Sequence, residues 1–340
     1  MIFNVWKDIQ NKKVQPVYLL VGEESFLMQE TLRHIVQASL LEEEKDFNLS
    51  VYDMEETPVE TAIEDAETLP FMGEKRVVII KNSVFLTSEK KKEKLEHRVE
   101  KLEQYINSPA PYTIVVFVAP YEKLDERKKI TKLLKKQSVV IEMKSLSDDE
   151  AIKWMLNVAQ EQRVELEKAA VEQLLVLTAG DLMAIHQELQ KLSTYVGEGG
   201  IISVEAVNLL VARTLEQNIF DLIEHVIYRR SKEALQIFYD LLKNNEEPIK
   251  ILSLLVTQFR LILQVKELST VGYGQQQIAS TVKVHPFRVK LALQQARLFQ
   301  TEELAHILME LAEADYEMKT GKKDKQLLLE LFLLKLFKND

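Results

Sequence analysis

The sequence predicts an α/β protein whose carboxyl-terminal half is all-α. Two observations support this fold class: five short runs rich in Val and Ile alternate with helical patterns up to about residue 144, and only helical periodicity continues beyond it. Strands that alternate with helices favour a parallel sheet with helices on both faces. A chain of 340 residues can hold two or three domains with substantial cores.

The first region contains the elements of one sheet domain. Apolar or alternating runs predict strands at residues 17–21, 47–53, 76–81, 113–119 and 138–143. Helical patterns surround them at residues 1–13, 26–41, 59–67, 88–107 and 124–137. Because parallel sheets bind ligands beyond the carboxyl ends of their strands, we expect any chemistry at the turn after the first strand, Gly22 to Ser25.

The second region shows helical periodicity and no strand signal. A capping box, Ser147 with Glu150 three residues later, begins its first helix. Helices are predicted at residues 148–163, 167–178, 181–195, 203–212, 218–228, 231–243, 248–268, 275–282, 286–299, 302–318 and 325–337. We place boundaries near 144 and 213, which gives an α/β domain at 1–144, a small helical domain at 145–212 and a larger helical domain at 213–340.

Composition narrows the possible functions. The chain has no cysteine, which excludes disulfides, thiolate metal sites and a cysteine nucleophile. No leader peptide is recognisable, and no apolar run approaches the ~18 residues that a membrane span needs. We therefore expect a cytoplasmic protein without a membrane partner.

Charge is unevenly distributed along the chain. The net charge is −9, yet residues 213–340 contain 18 Lys and Arg against 17 Asp and Glu, which leaves −10 for residues 1–212. An acidic first part argues against autonomous nucleic-acid binding, because that affinity comes mainly from phosphate neutralisation. Between residues 260 and 297 the only acid, Glu267, is accompanied by six bases: Arg260, Lys266, Lys283, Arg288, Lys290 and Arg297. Only two aromatic residues, Tyr273 and Phe287, lie among them, which is not the row of rings on which successive bases stack. A solvated face is therefore favoured over a nucleic-acid contact for this basic zone.

The segment at residues 66–80 combines a loop with a strand. Its second half, from Val77 onward, is predicted to be a buried strand. In its first half, Pro70 prevents a helix from continuing and Gly73 closes a turn. The resulting short loop carries three large apolar side chains: Leu69, Phe71 and Met72. Either they pack against the core as the end of a helix, or they form an apolar plug for a pocket of another protein.

The residues required for nucleotide hydrolysis are absent from their expected positions. A P-loop starting at Gly22 requires Gly, Lys and Ser or Thr where this chain has Leu27, Met28 and Gln29. The six histidines are isolated and none has metal-ligand spacing. Gly-x-Ser-x-Gly is missing too. We therefore predict no catalytic site, no cofactor and no metal site in this chain.

Seven short motifs are spread along the sequence. They are Val-Tyr-Leu-Leu-Val-Gly-Glu-Glu-Ser-Phe-Leu at 17–27, Leu-Pro-Phe at 69–71, Gly-Asp-Leu with Gln-Glu-Leu-Gln-Lys-Leu at 180–192, Asn-Ile-Phe-Asp-Leu at 218–222, Gln-Phe-Arg at 258–260, His-Pro-Phe-Arg-Val at 285–289 and Ala-Asp-Tyr-Glu-Met-Lys-Thr-Gly at 314–321. Each motif is weakly specific alone, whereas their order and spacing are specific. With them, the chain resembles the delta subunit of the bacterial DNA polymerase III clamp loader over essentially its whole length.

The resemblance implies a degenerate AAA+ (RecA-like) sheet domain that has lost ATP binding, a helical lid domain and a helical collar that assembles into a heteropentamer. The implied partners are the ring-shaped sliding clamp (the beta subunit), the ATPase subunits tau or gamma, and delta-prime. Primed DNA is implied only within the assembled complex. The chain would then be a non-catalytic part of a DNA polymerase (nucleotidyltransferase) holoenzyme, and it would bind the clamp and promote its opening for loading onto primed DNA in replication.

The resemblance also implies which residues contact the clamp. The family's clamp-contact element falls on Leu69, Pro70 and Phe71, with Thr68 and Met72 beside them. Clamp-binding motifs often begin with a glutamine five residues before the final aromatic; here that position is Ala66, so the apolar pair is present without the polar anchor. Five residues of the basic zone are candidates for proximity to primed DNA in the loader: Arg260, Lys283, Arg288, Lys290 and Arg297.

Alternative functions remain at this point. One is an ATP-hydrolysing AAA+ subunit of a related assembly, against which Leu27, Met28 and Gln29 argue. The other is a free-standing nucleic-acid-binding helical protein, against which the net charge of −9 argues. The delta-prime relative usually carries a cysteine-rich zinc module, which a chain without cysteine cannot form.

Overall fold

The computed structural model describes residues 2–88, 95–228, 230–321 and 323–337. The chain separates into two units, Met1–Ser145 and Leu146–Asp340. The first contains the predicted sheet and the second is mostly helical. The further division of the second unit near residue 213 stays a prediction.

A five-stranded parallel sheet forms the centre of the first unit. Its strands are Val17–Gly22 (β1), Leu49–Asp53 (β2), Arg76–Lys81 (β3), Thr113–Ala119 (β4) and Val139–Met143 (β5). Their order is β2-β3-β4-β1-β5, so β1 lies between β4 and β5. Strands β1, β3 and β4 are almost entirely buried, as parallel strands covered on both faces should be. The predicted α/β fold class is confirmed.

Helices cover both faces of this sheet. They are Ile2–Gln10 (α1), Ser25–Ser39 (α2), Lys45–Asn48 (α3), Val59–Ala66 (α4), Val99–Asn107 (α5) and Lys129–Gln137 (α6), with 3-10 turns at Glu42–Glu44 and Val84–Leu86. On one face, Leu19, Val78 and Phe117 share a core with α4, α5 and α6. Helix α2 packs against β3 and β5, and the indole nitrogen of Trp6 in α1 donates a hydrogen bond to Thr31 of α2 at 2.8 Å.

Three elements of the first unit begin two or more residues later than predicted. The strand predicted at 47–53 begins at Leu49, because residues 45–48 form the short helix α3. Helix α6 begins at Lys129 and not at 124. The helix predicted at 88–107 begins at Val99; residues 89–94 lie outside the described part of the chain, and residues 95–98 are not helical. Nδ1 of His97 accepts a hydrogen bond from the backbone N–H of Val59 at 3.2 Å, which holds this segment at the start of α4.

In its described residues, the second unit is helical apart from one small sheet. Its helices are Asp148–Glu161 (α7), Lys168–Leu177 (α8), Leu182–Val196 (α9), Val204–Leu210 (α10), Leu215–Ile227 (α11), Ser231–Lys243 (α12), Pro248–Thr270 (α13), Gln275–Val282 (α14), Pro286–Ala296 (α15), Thr301–Thr320 (α16) and Lys325–Leu336 (α17). Strands Glu165–Leu166 (β6) and Ile201–Ile202 (β7) pair in parallel. The prediction that no strand follows the first domain was therefore wrong. A two-residue strand is too short to create a period-2 pattern.

Helix α13 is long and strongly apolar. By length and composition it is the one helix in the described ranges that could cross a membrane, although no apolar run of that length was predicted. Core helices of globular proteins can have the same length and apolar composition. Its residues Ile251, Leu255, Phe259 and Ile262 are fully buried in the hydrophobic core of the second unit, so packing accounts for its apolar character.

Two of the sequence motifs meet inside the second unit. Gly180 has a φ of +77°, and a Cβ at this position would lie 2.6 Å from Nδ1 of His285. The same Nδ1 accepts a hydrogen bond from the backbone N–H of Phe287 at 3.2 Å and so caps helix α15. Burial lowers the pKa of His285, against the opposite influence of Asp148 and Asp181. The Gly-Asp-Leu and His-Pro-Phe motifs therefore form one internal contact.

Candidate protein-binding loop

The turn after β1, where a ligand site was expected, is closed by tightly packed residues. Gly22 has a φ of +136°, and a Cβ there would collide with the backbone oxygen of Met143 at the end of β5. The backbone N–H of Glu24 donates to that same oxygen at 3.1 Å. Leu27 and Met28, at the positions of the P-loop glycine and lysine, are buried in α2. Among the residues that the structure describes, no group of three or more His, Asp or Glu side chains could hold a metal ion.

The loop between α4 and β3 is fixed at its base by polar contacts. Nη1 of Arg76, the first residue of β3, lies 2.7 Å from Oδ1 of Asp65 in α4, and both side chains are largely buried. The hydroxyl of Thr113 at the start of β4 donates to the backbone oxygen of Ala66 at 2.7 Å. The loop therefore leaves and re-enters the domain at fixed points, beside the amino ends of β3 and β4.

The predicted clamp-binding side chains are exposed on this loop. The exposed fractions are 68% for Leu69, 54% for Phe71 and 84% for Met72. Thr68 is exposed and Pro70 is half-buried. Side chains that remain this exposed contribute little hydrophobic stabilisation to the fold. The alternative in which they pack against the core therefore does not hold.

Asn48, the last residue of α3, holds the centre of the loop. Its side chain is fully buried. Nδ2 of Asn48 donates to the backbone oxygen of Phe71 at 2.8 Å, and Oδ1 accepts from the backbone N–H of Phe71 at 2.7 Å. Met72 follows with a φ of +52°, a left-handed conformation that few non-glycine residues adopt. The carboxamide of Asn48 thus satisfies both main-chain groups of Phe71.

A second aromatic ring lies against Phe71. The ring centroids of Phe47 and Phe71 are 5.2 Å apart and the ring planes form an angle of 51°. The exposed fraction of Phe47 is 58%. Sequence reasoning did not include Phe47 and Asn48 in the site, because alternation assigned residues 47–53 to a strand. No local signal connects position 48 with position 71, which is 23 residues away.

The candidate DNA-proximal residues lie on or next to α13, α14 and α15 in the second unit. Four of them are exposed: Arg260, Lys283, Lys290 and Arg297. Arg288 is half-buried. Lys290 forms an ion pair with Asp148, with 2.6 Å between Nζ and Oδ2. Their proximity to DNA stays a prediction.

Three family models match consecutive parts of the chain. The model described as DNA polymerase III, delta subunit, matches residues 18–144. A middle-domain model matches residues 147–209. The model of the DNA polymerase III delta subunit, C-terminal domain, matches residues 216–336. The two delta-subunit models together cover most of the chain.

Individual relatives are similar over their full length. DNA polymerase III subunit delta of Bacillus subtilis (strain 168) is 58% identical over 340 residues, covering 100% of this chain and 98% of the relative. A probable DNA polymerase III subunit delta of Aquifex aeolicus (strain VF5) is 24% identical over 322 residues, covering 93% and 90%. The solved structure of the Bacillus subtilis DNA clamp loader delta protein superimposes with a TM-score of 0.83 at 58% identity, over 100% of both chains. The similarity extends across both units.

Proposed function

The chain belongs to the family of DNA polymerase III delta subunits, and from this membership we propose that it binds the sliding clamp through the apolar loop at residues 68–72 and favours the opened form of the clamp. Its role as a clamp-loader subunit in DNA replication follows from the family. The clamp contact and the opening mechanism are the proposal.

One observation above all supports the contact: Leu69 and Phe71 are exposed on a loop whose backbone is fixed. Burying a Leu or Phe side chain in a partner's pocket contributes about 1.5–3 kcal/mol. Apolar anchors that enter a preformed pocket are typical of the residues that dominate binding energy. A fixed loop also loses less conformational entropy on binding than a mobile one.

Opening of the clamp needs no chemistry in this chain. A ligand shifts a conformational equilibrium by its difference in affinity for the two states. If the surface around the loop fits the opened clamp better than the closed clamp, binding alone favours opening. ATP then acts in the partner subunits tau or gamma, by controlling when this surface is accessible. The burial of Leu27 and Met28 at the P-loop positions supports this division of roles.

The carboxyl-terminal helices support assembly with those subunits and with delta-prime. Helix α17 carries large apolar side chains on both its buried and its exposed side. Four of its residues are buried in the core: Leu328, Leu329, Phe332 and Leu333. Three others are exposed at helical spacing: Leu327, Leu331 and Leu334. Exposed apolar side chains that lie together mark a contact with another molecule, so we expect a partner subunit on the exposed side.

The experiment that tests the clamp contact compares the full chain with a Leu69→Ala, Phe71→Ala double variant. The ligand is the sliding clamp of the same organism, and the dissociation constant is measured by surface plasmon resonance or calorimetry. Loss of both anchors should cost roughly 3–6 kcal/mol, a decrease in affinity of about a hundred- to ten-thousand-fold.

Leu209→Ala provides the matched control. Leu209 is 69% exposed, as Leu69 is, but it belongs to the second unit. Unfolding by urea should give stabilities within about 1 kcal/mol of the parent chain for the double variant and the control, because the changed side chains are exposed and the double variant loses only the ring contact with Phe47. Equal clamp affinity in all three would reject the proposed contact. A clamp that stays closed in a purified one-to-one complex would reject the opening mechanism and leave the contact in place.

A further inference from the structure

The exposed apolar side chains of the first unit are restricted to two segments. In the described part of residues 2–145, the large hydrophobic side chains that are exposed are Leu41, Phe47, Val51, Leu69, Phe71 and Met72. Three of them lie on the loop between α4 and β3. The other three lie between residues 41 and 51, around α3 and the edge strand β2. Exposed apolar surface that is concentrated in this way marks a contact with another molecule.

The two segments touch each other through polar groups. Asn48 makes both hydrogen bonds to the main chain of Phe71. Oε2 of Glu44 accepts a hydrogen bond from the backbone N–H of Leu41 at 2.8 Å. The other carboxylate oxygen, Oε1, lies so close to Gly73 that a Cβ there would be 2.7 Å from it. The segment around α3 therefore supports the loop on one side, and Gly73 permits the close approach.

The rings of Phe47 and Phe71 contact each other and still remain more than half exposed, at 58% and 54%. Tilted aromatic pairs at a centroid distance of 5.2 Å are attractive beyond the area they bury. Each ring leaves a large part of its surface to the solvent. A pocket that takes up the exposed part of Phe71 must therefore approach the exposed part of Phe47.

We propose that Phe47 and Phe71 form a two-ring anchor for the clamp, and that Asn48 is the positioning residue that holds this anchor in its binding conformation. The proposal rests on the proposed function, since the occupant is the same clamp. Continuity with the apolar loop is the reason for choosing this occupant. Another loader subunit, or a second copy of this chain, is an outcome that the test distinguishes.

Asn48 takes the place of the water molecules that would otherwise bond to the main chain of Phe71. A loop residue normally bonds its N–H and C=O to water, and it must be ordered when a partner binds. In this chain both groups of Phe71 are already bonded to a buried side chain. The anchor is therefore ordered before the clamp arrives, and removal of the carboxamide should slow association by lowering the fraction of competent loops.

The test of the second ring measures clamp affinity for Phe47→Ala, Phe71→Ala and the double variant, with Leu209→Ala as control. Phe47→Ala should weaken binding about ten-fold, and it should have a smaller effect in a chain that already carries Phe71→Ala, because the two rings act together. If Phe71→Ala weakens binding and Phe47→Ala does not, the two-ring anchor is rejected while the proposed function stands. If neither variant changes the affinity, the proposed function itself fails.

Two further measurements identify the occupant. Phe47→Ala should leave the association state of the chain alone unchanged in analytical ultracentrifugation, and it should leave co-elution with the ATPase subunits unchanged. If Phe47→Ala abolishes self-association while clamp affinity is fully retained, Phe47 contacts a second copy of this chain. If it abolishes co-elution with the ATPase subunits instead, Phe47 contacts a loader subunit. Either result would overturn the inference.

The test of Asn48 separates positioning from stability. Asn48→Ala should weaken clamp binding about ten-fold, mainly through a slower association rate, and should speed hydrogen exchange at the backbone N–H of Phe71. Leu102→Ala is the matched control, because Leu102 is equally buried in the first unit but lies in α5. It should lower thermal stability and leave clamp association unchanged. If both variants alter association in proportion to their loss of stability, Asn48 is only a structural residue and its positioning role is rejected.

Discussion

The two ends of the parallel sheet use similar apolar residues in opposite ways. At the carboxyl end of β1, Leu27 and Met28 are buried in α2, where a nucleotide-binding domain would place its phosphate ligands. At the amino end of β3, Leu69 and Phe71 are exposed on a loop. The first pair stabilises the fold, and the second pair remains available for a partner.

This difference separates the end of the sheet where ligands usually bind from the end that carries exposed apolar side chains. Open parallel sheets normally bind ligands beyond the carboxyl ends of their strands. In this chain the turn at Gly22 is closed by Met143 of β5. The exposed apolar surface lies at the opposite end of the strands, mostly in the segments that precede β2 and β3. The sheet is kept as a rigid support, while the surface available for binding is at its other end.

The largest effect is expected from creating a cavity at the carboxyl end of the sheet. Leu27→Ala should lower the free energy of unfolding by about 2–5 kcal/mol, because the side chain is fully buried. Clamp affinity, measured at a temperature where the variant is folded, should not change. Gln29→Ala, at the exposed third P-loop position, is the control and should be neutral within about 0.5 kcal/mol. A large loss of clamp affinity in Leu27→Ala would show that the two ends are not independent.

The ion pair between Arg76 and Asp65 at the base of the loop should affect both the stability of the domain and clamp binding. Arg76→Ala removes one partner of a largely buried ion pair and leaves Asp65 uncompensated, which should destabilise the domain by on the order of 3 kcal/mol. Because the pair also fixes the base of the loop, clamp affinity should fall as well. Replacing both residues together, Asp65→Asn with Arg76→Gln, should recover part of the stability. If Arg76→Ala changes stability alone, the base of the loop does not position the anchor.

The smallest expected effect concerns the core beneath the loop. Burial raises the pKa of Tyr105 to about 12. The neutral phenol is favoured in the folded state, so stability is complete below pH 10 and falls as the pH rises from 10 towards 12. Urea unfolding at pH 11 should show a loss of about 1 kcal/mol relative to pH 8 from this group. Tyr105→Phe should show a correspondingly smaller decrease, and an equal decrease in both proteins would contradict the assignment.

The sequence predicted the buried sheet better than the surface beside it. Strands β3 and β4 have their predicted bounds, because strands covered on both faces are continuous apolar runs. The exposed loop was predicted in position, since Pro70 ends the helical pattern. Helix α3 and strands β6 and β7 were missed because two to four residues cannot display a period. The hydrogen bonds between the Asn48 side chain and the main chain of Phe71 could not be predicted, because they join segments that are distant in the sequence.

The way in which the loop is held also defines a starting point for synthetic chemistry. Asp65 and Arg76 bring the two ends of the segment together, so a short peptide cyclised between these positions would present Leu69 and Phe71 on a ring. Asn48 lies outside that ring, and the peptide would therefore lack the amide that fixes Phe71. A macrocycle designed to compete in the proposed clamp contact needs a built-in group that replaces this amide. An inhibitor series would then begin with the scaffold of the turn, before any optimisation of its two apolar side chains.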